Sequence, residues 1–171
     1  MKSRPTFAAS PPVIWLVIFA VTGGCAPKEY ARLRELGFTG AATNWRIVSA
    51  GEVGKTVGDQ EVIDATGPLV RISPDYLNLS TQRISDRCIP AIVQVKSLEA
   101  LDLSGTDVTA DGLIQLAALP HLKKLFITEQ NFRPDELQAV GNALPNVDIE
   151  DNWRGTQGRQ MRDQNDGSPS D

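Results

Sequence analysis

An α/β fold assembled from repeated strand–helix units is what this 171-residue chain predicts, on three observations. First, Leu98, Leu101 and Leu103 recur as Leu122, Leu125 and Ile127, each 24 residues later, and Leu113 and Leu116 recur as Leu137 and Val140 at the same offset. A fixed period of this length is the mark of a structural repeat. Second, each unit switches periodicity internally. Apolar and polar residues alternate around Leu101-Asp102-Leu103, as in a half-buried strand, and then Leu113, Ile114, Leu116 and Ala117 follow helical spacing. Third, helix boundaries are marked. Ser85 and Asp86 precede Ile89, Thr109 and Asp111 precede Leu113, and Pro134-Asp135 precedes Leu137; Pro120 and Pro145 end the helical stretches because proline lacks the N–H that continues one.

Composition leaves room for roughly one ordinary domain. Apolar content of 41% and charged content of 22% exclude global disorder and a polytopic membrane protein. The net charge is -4, and loss of Lys2 and Arg4 with a leader takes it to -6. That balance argues against a nucleic-acid surface, which needs a basic patch.

Residues 1–24 read as an export signal. Lys2 and Arg4 form a positive start, 13–21 (VIWLVIFAV) an apolar run, and Thr22-Gly23-Gly24 a small-residue approach to Cys25. The run is too short to span a bilayer, which takes about 20 residues, and Pro11-Pro12 blocks its extension. The segment resembles the lipobox of bacterial lipoproteins, in which cleavage leaves the cysteine as an acylated N-terminus; Gly23, Gly24 and Cys25 fit, while Thr22 stands where that family usually has an aliphatic residue. The resemblance implies lipidation at Cys25 and a protein held on a membrane by acyl chains. An ordinary secretory signal and an uncleaved short anchor are the alternatives. With Cys25 lipidated, Cys88 has no intrachain disulfide partner, and it is expected as a small buried residue at the position equivalent to Gly112.

Residues 25–67 are expected to hold the lipid-attachment site, a short helix and an N-terminal cap or linker. In 26–37, Tyr30, Leu33 and Leu36 lie at helical spacing between Pro27 and Gly37. Strands are expected at 45–49 and near 61–63. The stretch 49–56 (SAGEVGKT) is similar to a phosphate-binding P-loop, but Ser49 replaces its first glycine. Val57-Gly58-Asp59-Gln60 is also a poor opening for the helix that must hold the phosphates. A polar turn is the reading, and no nucleotide is expected.

The repeat domain is placed at 68–150. Stepping back 24 residues from the clear units finds Leu77, Leu79, Ile89, Ile92 and Val95, a weaker first unit whose leading anchor is Pro74. A closing half-unit, 144–149, repeats Leu119-Pro120-His121-Leu122 with one insertion and is expected to close the sheet. One strand and one helix in 24 residues is a leucine-rich repeat. LDLSGTDVTADGL resembles repeats of bacterial, notably planctomycete-type, exported proteins of the leucine-rich repeat family. It departs from them at Ala110, where that family usually has Asp. The turn after the strand also varies, with Gln82, Thr106 and Gln130 each expected to satisfy backbone groups there. The resemblance implies a short solenoid, with parallel strands on a concave face, helices outside and an N-terminal cap.

With Leu77/Leu79, Leu101/Leu103 and Leu125/Ile127 buried, strand alternation places Tyr76, Asn78 and Ser80, Ala100, Asp102 and Ser104, and Lys124, Phe126 and Thr128 on the open face. Of these, Tyr76, Asn78, Asp102, Ser104, Lys124, Phe126 and Thr128 are the candidate partner-binding residues, because exposed aromatics beside polar groups anchor interfaces. The alternative is that Tyr76 and Phe126 pack under a cap or tail. No catalytic residue is assigned. His121 stands alone in a loop, so neither a zinc site nor a histidine triad can be assembled. Asp148 and Glu150 share a strand face and read as an edge-protecting pair; a calcium site with Asp151 is the lesser alternative. Residues 151–171, almost without apolar side chains after Trp153, are expected to be a disordered tail.

The expectation is therefore an exported, non-enzymatic protein, membrane-anchored at the bacterial cell envelope on the periplasmic face or cell surface. It mediates protein–protein interaction with an unknown protein partner, and needs no cofactor, metal, nucleotide or nucleic acid. A structural envelope lipoprotein, or an accessory or sensor subunit of an envelope enzyme, are the alternatives.

Overall fold

The computed structural model of the chain describes residues 27–41, 44–51 and 55–151. The leader, Cys25 and the tail from 152 onward lie outside the described residues. The fold is mixed α/β. Helix α1 (Pro27–Glu35) leads into a β1 (Phe38–Ala41) and β2 (Asn44–Ala50) pair, followed by α2 (Asp59–Ile72) and β3 (Tyr76–Asn78). Three strand–helix alternations complete it: α3 (Ile89–Ile92), β4 (Ala100–Asp102), α4 (Ala110–Gln115), β5 (Lys124–Ile127), α5 (Pro134–Ala143) and β6 (Asp148–Asp151). One six-stranded sheet results, in the order β1 to β6; only the β1–β2 pair is antiparallel.

The register follows directly from the repeat. Tyr76 pairs with Ala100 and Ala100 with Lys124, while Leu77 pairs with Leu101, Leu125 and then Ile149 across successive strands. Each step from β3 to β6 is one 24-residue period, so equivalent side chains stack on equivalent side chains. Leu77, Leu79, Leu101, Leu103, Leu125 and Ile127 are buried, and Ile89, Ile92, Leu113, Leu116 and Val140 meet them from the helices. Buried Leu33, Phe38 and Val48 continue the same core into the first hairpin and α1. Among the described residues, helices cover one face of the sheet and none covers the other.

The largest departure from expectation is α2. A strand is expected near 61–63 and a poor helix opening at 57–60, yet a 14-residue helix begins at Asp59. Gly67-Pro68 reads as a breaker, and proline inside a helix costs about 3 kcal/mol. Tertiary burial outweighs it: Val62, Ala65, Pro68 and Leu69 all face the core. Glu61 accepts a hydrogen bond from the Gly58 N–H at 2.9 Å and starts the helix, and Ser73, left-handed at φ 55°, stops it ahead of Pro74. The expected boundary between 67 and 68 therefore falls within α2, and Asp151, placed in the tail by composition, ends β6.

Two carboxylates bolt successive units together. Asp59 at the start of α2 accepts from the Ser85 N–H and hydroxyl, both at 2.7 Å. Asp86 accepts from the Thr109 N–H at 2.8 Å and hydroxyl at 2.6 Å. The series stops at Ala110, which stands one period after Asp86 and has no carboxylate to offer Arg133. Gly112 exists for this joint, since a Cβ there would lie 2.1 Å from the Asp86 Oδ1. One unit earlier Cys88 takes the equivalent place, fully buried, with its thiol donating to the Ser85 carbonyl at 3.3 Å.

Candidate interaction surface on the open face of the sheet

Alternation along β2 to β6 sends two rows of side chains to the open face. Ile47, Tyr76, Ala100, Lys124 and Asp148 form one; Ser49, Asn78, Asp102, Phe126 and Glu150 form the other, each residue in register with its neighbours. Ile47 is 49% exposed, an apolar side chain in water beside Tyr76. The Tyr76 and Phe126 rings meet edge to face, with centroids 6.5 Å apart and planes at 75°. They come from strands two places apart, bridging β4, so no local sequence pattern shows the pair.

Three of the expected surface residues are not surface. Asp102 is 3% exposed, Ser104 0% and Thr128 2%. Ser104 and Thr128 lie past the ends of β4 (at Asp102) and β5 (at Ile127), where the chain turns and alternation no longer applies; Asp102 is the last residue of β4 and is covered where it bonds the Tyr76 hydroxyl. The side chains serve the turns instead. Asp102 Oδ1 accepts from the Ser104 N–H at 2.9 Å, and Thr128 Oγ1 accepts from the Gly105 N–H at 3.0 Å. Asp102 also takes the Tyr76 hydroxyl; burial first, then this carboxylate's charge and hydrogen bond, push the Tyr76 phenol up to about 12. Asn78 is half-buried and repeats the Asp102 arrangement, its Oδ1 accepting from the Ser80 N–H at 2.9 Å. Tyr76, Asn78, Lys124 and Phe126 remain accessible to a partner.

The expected turn roles hold for two of three residues. Buried Gln82 accepts from the Val57 N–H at 2.9 Å and donates to the Ser80 carbonyl at 3.2 Å; Thr106 donates to the Leu103 carbonyl at 2.6 Å. Gln130 is instead exposed, in a short 3-10 turn over Glu129–Asn131.

Charges on this side are arranged in pairs. Arg46 bonds Asp75, and Lys123 meets Glu99 at 2.9 Å, along the end where the strands begin. On the open face Lys124 bonds Glu150 and lies 3.7 Å from Asp148; the two carboxylates hold its ammonium pKa above the usual lysine value, with the Glu150 hydrogen bond the largest cause. Asp148 and Glu150 therefore hold the lysine of the neighbouring strand.

The P-loop-like stretch does run from a strand to a helix, since α2 follows it. Its chemistry is nevertheless committed. Residues 52–54 of that stretch lie outside the described residues; the first turn of α2 carries Asp59, bonded to Ser85, and Glu61, bonded to the Gly58 N–H. The Lys55 ammonium lies 3.2 Å from the Glu35 carbonyl at the end of α1. His121 is exposed in its loop. Among the described residues no group of three or more His, Cys, Asp or Glu is arranged to hold a metal ion, and no helix is long and apolar enough to cross a membrane.

The fold and surface together define a mixed α/β protein with a mostly parallel six-stranded sheet. Comparison with protein-family models and with curated proteins finds no match. Among solved structures the chain is similar to leiomodin-1 actin-binding site 2, with a TM-score of 0.53 and 12% identity over 81% of this chain and 91% of that one. At that identity the likeness concerns the fold alone.

Proposed function

We propose that the chain is a leucine-rich repeat solenoid of the bacterial, planctomycete-like kind. In this reading it is non-enzymatic, carried on a membrane of the cell envelope by an acylated Cys25, and its open, concave face docks another protein. The observation that carries the reading is the half-buried Tyr76–Phe126 pair on strands held in one register. A rigid aromatic anchor on an uncovered sheet face is what a protein interface uses. The 24-residue match of sequence period and strand register supports the repeat assignment. Actin-binding site 2 of leiomodin-1 bears a protein partner in its name and shares the fold, an analogy in support of docking and not of actin as the partner.

The test is position-specific photocrosslinking in the native envelope. A photoreactive amino acid at Asn78 or Lys124 is expected to give a discrete protein adduct, and the same probe at exposed Gln115 on the helix side is expected to give none. Equal or absent adducts at all three positions reject the docking face and favour a structural envelope protein. Mass analysis of the mature N-terminus separately decides lipidation: a terminus other than acylated Cys25 removes the anchor.

A further inference from the structure

Among the described residues the open face has a charge imbalance that its own ion pairs do not remove. Along the edge where the strands begin, Arg46 answers Asp75 and Lys123 answers Glu99. On the open rows Lys124 faces two carboxylates, Asp148 and Glu150, and a third, Asp102, lies in register with Phe126. The surplus sits around Phe126, which pairs in register with Asp102 on one side and Glu150 on the other. A sheet spaces these neighbours at about 4.8 Å, so a group lying on the Phe126 ring has the Glu150 carboxylate beside it and the Asp102 carboxylate below. Asp102 is buried and already takes the Ser104 N–H; it contributes negative field beneath the rings, while Glu150 and the exposed Asp148 are reachable.

From the aromatic pair, the flanking carboxylates and the exposed Ile47 we infer that the face takes a basic polypeptide segment, with an arginine or lysine laid across Phe126 and Tyr76 and its head toward Glu150 and Asp148. This rests on the reading of the open face as a docking surface. Cations are attracted to aromatic faces by the ring quadrupole, and surplus carboxylate at the same place makes the attraction selective for positive charge. The aliphatic stem of such a side chain finds apolar cover on Tyr76 and Ile47. From β2 to β6 the face spans about 19 Å at the ordinary strand spacing, the length of roughly six extended residues. An acidic partner would meet the like charge of Asp148 and Glu150.

The experiment titrates the full chain with fluorescent hexapeptides of sequence ARALRA, AEALEA and AQALQA, followed by anisotropy. ARALRA is expected to bind and the others not. Phe126→Leu, which keeps an apolar side chain in place, and Glu150→Gln are each expected to weaken it roughly 3- to 20-fold. Lys124→Gln should strengthen it, an effect that a merely structural role for Lys124 does not produce. Asp111→Asn, at an exposed carboxylate on the helix side, should change nothing, which separates this site from general attraction to an acidic protein. Binding of ARALRA that ignores Phe126→Leu and Glu150→Gln, or falls equally with Asp111→Asn, overturns the inference. Selective binding of AEALEA or AQALQA that Phe126→Leu abolishes also overturns it, while leaving the docking face standing. Failure of all three peptides to bind overturns the inference; the crosslinking above decides the docking face independently.

Discussion

Replacing Gly112 by alanine interrogates one joint of the stack. The added Cβ would meet the Asp86 Oδ1 at 2.1 Å and Cγ at 2.8 Å, distances no packing tolerates, so the Asp86 side chain must leave Thr109. Two hydrogen bonds go with it, at 2.8 and 2.6 Å. Bonds to a charged group contribute about 1.5–3 kcal/mol each, less here because Thr109 is exposed, and alanine in place of glycine within a helix returns about 1 kcal/mol. The net destabilisation is about 2–4 kcal/mol, which in a chain of this size lowers the melting temperature by roughly 10 °C. The assay is thermal and urea unfolding of four proteins: wild type, Gly112→Ala, Asp86→Ala and the double variant. Without the Asp86 carboxylate the only remaining close neighbour is the Val108 Cγ1 at 3.0 Å, a side-chain methyl that can shift. Gly112→Ala should then fall to within about 1 kcal/mol of neutral. An equal loss in both backgrounds would refute the reasoning, because the cost would not pass through Asp86.

Further outcomes follow from the same contacts. Ala110→Asp combined with Arg133→Thr extends the carboxylate–hydroxyl series by one unit and should stabilise by about 1 kcal/mol; Ala110→Asp alone should destabilise, and additive single effects in a double-mutant cycle would count against the design. Leu101→Ala removes a side chain with no exposure and should cost about 2–5 kcal/mol, so a wild-type melting temperature would reject the register of the core. Burial, then the Asp59 charge, pushes the Cys88 thiol up to about 12. The Cys88 peptide should therefore alkylate far more slowly in the native chain than in urea, and equal rates sink the claim. Because the folded thiol holds its proton more tightly than the unfolded one, its contribution to stability is full below about pH 8.5 and fades as pH rises toward 12; Cys88→Ala should flatten that decline.

Much of the architecture is legible in the chain, and the residues say why. A repeat of fixed length stacks like on like, so the positions 24 apart in sequence become the pairs Leu77–Leu101–Leu125 in the sheet. Ser85, Thr109 and Pro134 mark the helix starts in the sequence; in the fold Ser85 caps its own turn, Pro134 takes the first helical position, and Thr109 gives its hydroxyl to Asp86 of the preceding unit. Helix α2 was not legible, because a strand-like run near 61–63 and the poor opening at 57–60 mask a quieter signal. Val62, Ala65, Leu69 and Ile72 recur at helical spacing, and Asp59 and Glu61 place acids in the first turn. The carboxylate joints had a trace too, an acid at a helix start with Ser85 or Thr109 one unit on, but only stacking shows that the two meet.

The sequence by itself determined the period, the parallel register it implies and the leucines that fill the core, since those depend on spacing along the chain. Tertiary structure decided which polar residues face a partner. Asp102, Ser104 and Thr128, placed on the open face by extending the alternation, are buried, because strands of three or four residues give way to turns whose backbone groups need partners. Tyr76 and Phe126 lie 50 residues apart in the chain and become neighbours only when β4 slides between their strands. Contact across an intervening strand is a property of the folded sheet, and no local pattern encodes it.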